Sequence, residues 1–264
     1  MSEHYRRVAP LAKILAQVED VSAEGLGPLD QLHTGGLAAS RMLAKLAGIS
    51  RDEVVLDVGC GVGGSARLLA SEFGAQVTAV DLSPEYVEIG RALSQKSGIP
   101  VTFECANALD LPFPSGAFDV VWTQHAATNI SDKPRLYREL QRVLRADGRL
   151  AFHDLLVGQT PRPLHMPLPF ADTPEESFLS EATELRELLQ KLGFQELAWR
   201  DRTAATIVFF NNLPLPDLRS QSLGLHLLLG PDFATMVANI RRNMFEGRLN
   251  AAMGVYAAGS GPSA

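Results

Sequence analysis

The chain has 264 residues, of which 46% are apolar and 20% charged, enough to bury a sizeable core and too hydrophobic for a disordered segment. Twenty-four Lys and Arg against 30 Asp and Glu give a formal charge of −6, which repels a polyphosphate backbone and argues against a nucleic-acid partner. Two cysteines, Cys60 and Cys105, can build neither a disulfide framework nor, alone, a structural zinc site, so a reduced cytoplasm and no bound metal are expected.

At the N-terminus, residues 5–18 have apolar positions interrupted by Lys13 and Gln17, which predicts a short amphipathic helix and not a secretory signal. No run approaches the roughly 20 apolar residues of a membrane span. From residue 54 onward short apolar runs alternate with helical stretches, the pattern of βαβ units in a mostly parallel sheet. Strands are expected at 54–58, 77–80, 101–105, 118–123, 149–156 and 195–201, with a last one at 250–258. Helices are expected at 65–73, 84–97, 133–144, 181–192 and 233–245. Ser83 and Pro84 supply an N-cap and a first-turn proline, and Ser180 followed by Glu181 and Glu184 resembles a capped, acid-rich start. The proline-rich stretch 157–180 and the irregular stretch 211–229 look like neither strands nor simple connectors. Both read as a cap over the C-terminal edge of the sheet, where open α/β sheets bind ligands. Their apolar content suggests a partly hydrophobic pocket wall, although residues 222–229 could equally make a buried helix contact or a homodimer surface.

The sharpest motif is Asp57-Val58-Gly59-Cys60-Gly61-Val62-Gly63-Gly64-Ser65, which follows an apolar strand and opens a helix. Glycines let the backbone approach a ligand where a Cβ would collide, and the helix start offers unpaired N–H groups. The next strand ends on Asp81, about 20 residues on, where a carboxylate can accept from both hydroxyls of a ribose. Gly59, Gly61 and Gly64 also satisfy G-x-G-x-x-G, so an NAD-dependent oxidoreductase stays open at this point. Asp57 weighs against it, because an acid there repels a pyrophosphate and welcomes a cationic amino-acid group, directly or through water. S-adenosylmethionine carries such a group. After the third strand, Asn107-Ala108-Leu109-Asp110-Leu111-Pro112-Phe113 could bond an adenine edge while Leu82 and Leu109 cover the ring faces.

In order and spacing, VLDVGCGVGG, VTAVDLS, NALDLPFPSGAFDVVWTQHA and LYRELQRVLRADGRLAFHD resemble the class I S-adenosylmethionine-dependent methyltransferases, from about Asp30 to the C-terminus. The resemblance implies a Rossmann-like seven-stranded mixed sheet ordered 3-2-1-4-5-7-6, with strand seven antiparallel and helices on both faces. It assigns cofactor roles to Asp57, Gly59, Gly61, Asp81, Leu82, Asn107, Ala108 and Gln124. Asn107 departs from the family, where many members have Asp, and a modest loss of the adenine contact is expected. The segments 30–36 and 170–178 are similar to the small-molecule branch, which includes sarcosine and dimethylglycine, tocopherol and ubiquinone, and natural-product methyltransferases. There the segment before the fold closes over the methionine end of the cofactor, which makes Gln31, His33 and Gly35 candidate cofactor contacts and residues 1–50 an N-terminal helical flap. The expectation is one domain, 1–264, with cap insertions at 157–180 and 202–247.

The implied reaction is an in-line displacement of the activated methyl by an N, O or C nucleophile of a small molecule, with S-adenosylhomocysteine leaving. Positioning can supply most of the catalysis, and a base is needed only if the acceptor loses a proton. Candidate catalytic residues are His125 after strand four, and His153 with Asp154 at the end of strand five, a carboxylate beside an imidazole being able to orient it and raise its pKa. Glu175 and Glu176 are weaker candidates, and Arg241 and Arg242 read as a solvated pair. The open alternatives are the NAD-dependent oxidoreductase and a non-catalytic module that keeps the cofactor fold.

Overall fold

The computed structural model describes residues 8–160, 163–212 and 223–259. Residues 5–7 of the expected N-terminal helix, 213–222 of the expected cap and the tail from 260 lie outside them. The strands are β1 (Val54–Val58), β2 (Gln76–Asp81), β3 (Thr102–Cys105), β4 (Phe118–Gln124), β5 (Leu144–Val157), β6 (Gln195–Asp201) and β7 (Leu249–Ala257). They form one sheet in the order β3-β2-β1-β4-β5-β7-β6. β1 to β5 pair in parallel and β7 runs antiparallel to both β5 and β6, as the motif order implied. β5 starts at Leu144, earlier than expected, because Leu144 already pairs with Phe118; the register then shifts before Arg149 meets Val120. The helix ahead of it ends correspondingly at Val143.

The helices are α1 (Leu11–Leu15), α2 (Ala23–Asp30), α3 (Gly36–Ala47), α4 (Gly64–Phe73), α5 (Pro84–Ser97), α6 (Lys133–Val143), α7 (Ala182–Lys191), α8 (Thr203–Asn212), α9 (His226–Leu229) and α10 (Phe233–Phe245). Ser83 caps α5 as expected, its hydroxyl accepting from Tyr86 N–H with Pro84 in the first turn. The expected Ser180 cap is absent. α7 starts after Glu181, whose side chain makes no cap bond, and Ser180 instead gives its carbonyl to Val157 N–H.

Three apolar clusters hold the layers together. Leu43 and Ala44 of α3 and Leu68 and Leu69 of α4 pack with Val55, Trp122, Ala151 and Met253 on one face of the sheet. Leu136 and Leu140 of α6 and Leu185 and Leu189 of α7 pack with Val121, Phe152 and Tyr256 on the other. The third cluster lies over the C-terminal strand ends and joins α1, α2, α9 and α10 with Leu155, Leu168 and Leu249. Because β1, β2, β4 and β5 are parallel and in register, their C-terminal residues open side by side beneath this third cluster. No helix among the described residues is long and apolar enough to cross a membrane.

Candidate active site

A cavity of about 1190 Å³ opens over those strand ends. A site for one drug-sized ligand occupies about 300–1,000 Å³, so this space accommodates a nucleoside-sized group and a second molecule.

One side is built by the turn from β1 to α4. Gly59 and Gly61 both have left-handed backbone, φ 73° and 55°, which an L side chain adopts only with strain. A Cβ on Gly59 would lie 2.3 Å from that of Ala126, and one on Gly61 would lie 2.6 Å from Leu32 Cδ1. Both glycines line the cavity. Asp81 accepts from Gly61 N–H through Oδ2 and from Ser83 N–H through Oδ1, each at 2.9 Å. Its carboxylate therefore faces the cavity in a fixed orientation with lone pairs left for further donors. Burial pushes its pKa up to about 6, against the backbone hydrogen bonds from Ser83, Gly61 and Leu82.

Asp57 lies deeper than the cavity-lining glycines of the motif. It is buried beneath the glycine turn, 2% exposed, and is not part of the cavity wall. Its Oδ2 has no hydrogen-bond partner, and burial, reinforced by the Asp81 charge, pushes its pKa up to about 8. An orphaned buried carboxylate oxygen fits a site completed by a cationic group, reached through water from this depth.

Leu82, Asn107, Ala108 and Leu109 line the next stretch of wall. Asn107 Oδ1 accepts from Leu109 N–H at 2.9 Å, so this amide first holds its own turn and has one lone pair left for a ligand. At the end of β4, Gln124 Oε1 accepts from Ser65 Oγ at 2.6 Å and from Trp122 Nε1 at 3.0 Å, while its Nε2 is buried without a partner. This leaves an unpaired donor on β4 near the unpaired acceptor of Asp57 on β1, which suits the two charged groups of an amino acid.

The segment before the sheet is tied to the same turn. Arg67 and Asp30 form an ion pair of 2.7 Å, their side chains only 3% and 4% exposed, and Asp30 Oδ1 also accepts from Gln31 Nε2 at 2.8 Å. Gln31 and His33 both reach the cavity. His33 Nδ1 lies 3.2 Å from the Thr34 carbonyl and must donate to it, so its Nε2 accepts from Ser40 Oγ at 3.0 Å.

His33, His125 and His153 form one cluster, with ring centroids 4.9–6.1 Å apart. Thr34 Oγ1 lies 3.2 Å from His125 Nε2 and 3.4 Å from His153 Nε2. With one proton it donates to one ring and accepts from the other. His125 is held in left-handed backbone, φ 57°, by its N–H to the His153 carbonyl and by Thr128 Oγ1 on its own carbonyl, both 2.9 Å. Such strain in a non-glycine residue persists only where the surroundings enforce it. Burial pushes the pKa of His33 down to about 4 and those of His125 and His153 well below the ordinary value, with the neighbouring imidazoles adding to it. All three are therefore neutral near pH 7. Among the described residues no group of His, Cys, Asp and Glu has the arrangement of a metal site.

Of the three main candidate catalytic residues, His125, His153 and Asp154, only His125 lines the cavity. His153 is 1% exposed behind it, its Nδ1 without a partner. The expected pairing of His153 with Asp154 is not formed. Consecutive residues of a strand point to opposite faces, and Asp154 lies on the far side in a small separate cavity with Lys133 and Tyr137. There burial pushes Asp154 up to about 7, with the Lys133 charge opposing. Glu175 and Glu176 both reach the large cavity. Thr34, Ser40 and Ser65, which organise the histidines and Gln124, carry no spacing signature in the sequence.

The other side of the cavity is apolar. Phe170, Phe178, Phe209, Phe210 and Phe233 line it, with Leu229, Val237 and Ile240 from α9 and α10.

These features define a class I cofactor-binding fold, and sequence comparisons agree. Residues 56–152 match the family model described as a methyltransferase domain. The sarcosine/dimethylglycine N-methyltransferase of Halorhodospira halochloris is 33% identical over 172 residues, 63% of this chain and 61% of that protein. The chloroplastic tocopherol O-methyltransferase of Arabidopsis thaliana is 39% identical over 114 residues, 40% of this chain and 33% of that protein. The chain thus spans less than two thirds of these relatives. Among solved structures, the [4+2]-cyclase SpnF matches with a TM-score of 0.71 and 25% identity over 96% of this chain and 99% of that one. A geranyl diphosphate C-methyltransferase from Streptomyces coelicolor A3(2) shares the fold, with a TM-score of 0.66 and 20% identity over 83% of this chain and 75% of that one.

Over the methyltransferase domain of residues 56–152 the chain is similar to the class I S-adenosylmethionine-dependent methyltransferases. The relatives it resembles include methyltransferases named for sarcosine/dimethylglycine, tocopherol and ajmaline. Nothing in these comparisons supports the nicotinamide-dependent alternative.

Proposed function

We propose that this protein transfers a methyl group from S-adenosylmethionine to a small molecule held in the large cavity. The observation that carries the reading is the continuity of two unlike walls, a polar one with Asp81 fixed by two backbone N–H groups and an apolar one beside it. When bound, the cofactor supplies a sulfonium-activated methyl and departs as S-adenosylhomocysteine. On this reading Asp81 accepts from the ribose hydroxyls, Leu82 and Leu109 sandwich the adenine, and Asn107 and Ala108 meet its edge. Gly59 and Gly61 give the backbone room, and Gln31, His33, Gln124 and the buried Asp57 serve the amino-acid end. His125 takes the acceptor's proton where one must leave. Its neutral imidazole is in the right form to accept it, while His153 and Thr34 hold the tautomer. Residues 157–180 and 202–247 act as a cap on a single domain and exclude water from the reacting centre. We also read the protein as cytoplasmic, on its two free cysteines; cell fractionation tests this.

Incubation with S-adenosylmethionine and a panel of phenols, amines and activated carbon acids tests the function. The expected result is acceptor-dependent release of S-adenosylhomocysteine with a product heavier by one methylene. Cofactor binding with no transfer to any acceptor would instead favour a second reading, prompted by the full-length likeness to a [4+2]-cyclase. In that reading the same cavity folds an apolar substrate without methyl transfer.

A further inference from the structure

The charge inventory of the cavity narrows the substrate class. Among the described residues no Lys or Arg lines it, whereas Asp81, Glu175 and Glu176 do, along with Glu24, whose charge is paired with Arg41. The histidines do not make up the deficit, since burial holds His33 and His125 in the neutral form and also lowers the pKa of His226. Lys133, which bonds the Phe178 carbonyl beside the apolar end, has its ammonium committed to the carbonyls of Ala127, Ile130 and Phe178. It lines the separate small cavity, not the large one.

A phosphate, diphosphate or carboxylate on an acceptor at the apolar end of this space would lose its hydration and meet no positive side chain among the described lining residues, an uncompensated cost for a buried ion. The carboxylates of Glu175 and Glu176 at the wall would add repulsion. An uncharged skeleton meets the opposite conditions, five phenylalanines and the aliphatic residues of α9 and α10. Burying such a skeleton there is favourable in proportion to the apolar area removed from water.

Resting on the methyl-transfer reading, we propose that the acceptor is an uncharged, largely apolar molecule of polycyclic or long-chain size, and that phosphate esters, diphosphates and free amino acids are rejected. The inference separates this cavity from the sites of relatives whose names specify sarcosine or geranyl diphosphate.

Two fluorescent probes with one aromatic skeleton test it, uncharged N-phenyl-1-naphthylamine and anionic 8-anilino-1-naphthalenesulfonate, titrated against the full chain with and without S-adenosylhomocysteine. The neutral probe should bind at least about tenfold more tightly. Phe178→Lys, at a position 36% exposed and so able to accept a long polar side chain, should narrow the gap to less than about threefold by supplying the missing cation. Phe209→Ala should weaken the neutral probe several-fold. Equal or tighter binding of the sulfonate, no binding of the neutral probe, or no response to either substitution would overturn the proposal. Calorimetry with S-adenosylhomocysteine is read separately. Absent binding there with the neutral preference intact sinks methyl transfer but supports an uncharged ligand, whereas normal binding with a preference for the anion sinks the substrate class alone.

Discussion

The two walls of the cavity are held by different physics. On the polar side, strand ends fix each group through the backbone: Asp81 by the N–H groups of Gly61 and Ser83, and His125 by the His153 carbonyl. The segment leading into it is anchored by a fully buried Arg67–Asp30 ion pair. The opposite wall consists of phenylalanine and aliphatic side chains from the loop before α7 and from α8 to α10, positioned by non-directional packing. A directional wall suits one invariant ligand, and an apolar wall can be reshaped for different acceptors without disturbing it.

Substitutions can break this contrast, and the largest effect is expected at Arg67. Arg67→Met leaves Asp30 buried with only Gln31 as partner, which should cost about 3–5 kcal/mol and appear in urea unfolding as a lower midpoint with an unchanged slope. Asp81→Asn removes charged acceptance of the ribose hydroxyls. It should weaken S-adenosylmethionine binding about 10- to 100-fold, from the roughly 1.5–3 kcal/mol of a charge-assisted hydrogen bond, while apolar-probe binding stays the same. Phe209→Ala reverses the pattern. The lost apolar area should raise the KM for the acceptor by about 1–2 kcal/mol, with the calorimetric cofactor affinity unaltered.

The smallest effect sharpens the electrostatic side. Burial places the Asp81 pKa at about 6, and ribose hydroxyls bind its ionised form better. Binding therefore releases the proton, so affinity should be flat above the pKa and decline as pH falls through it, by about twofold at pH 6. The decline should vanish in Asp81→Asn. The same elevation means that folding stability contributed by the protonated acid is full below its unfolded value and is lost as pH rises through about 6.

The sequence disclosed the polar wall far better than the apolar one. Gly59, Gly61 and Asp81 are recognisable because a turn, a close approach and a strand end impose residue types at fixed spacing. Their neighbours in the sheet then follow from the strand order. Within the same wall, reading along a strand misled: His153 and Asp154 are adjacent in sequence and therefore on opposite faces, so the imidazole gained Thr34 and not the carboxylate. Asp57 was found by its position in the motif, but its depth beneath the cavity depends on how α4 packs. The apolar wall left only a composition. Phe209 and Phe210 lie in α8, an apolar helix without a clear polar face, and Phe170 and Phe178 lie in irregular backbone. No periodicity predicts which of these face a ligand, because tertiary packing alone decides it.

The central claim is tested most directly by calorimetric titration of the purified chain with S-adenosylmethionine and, in parallel, with NAD. Saturable one-to-one binding of S-adenosylmethionine that is lost or strongly weakened in Asp81→Asn, with no heat from NAD, is the predicted result. Tight NAD binding without S-adenosylmethionine binding would contradict it.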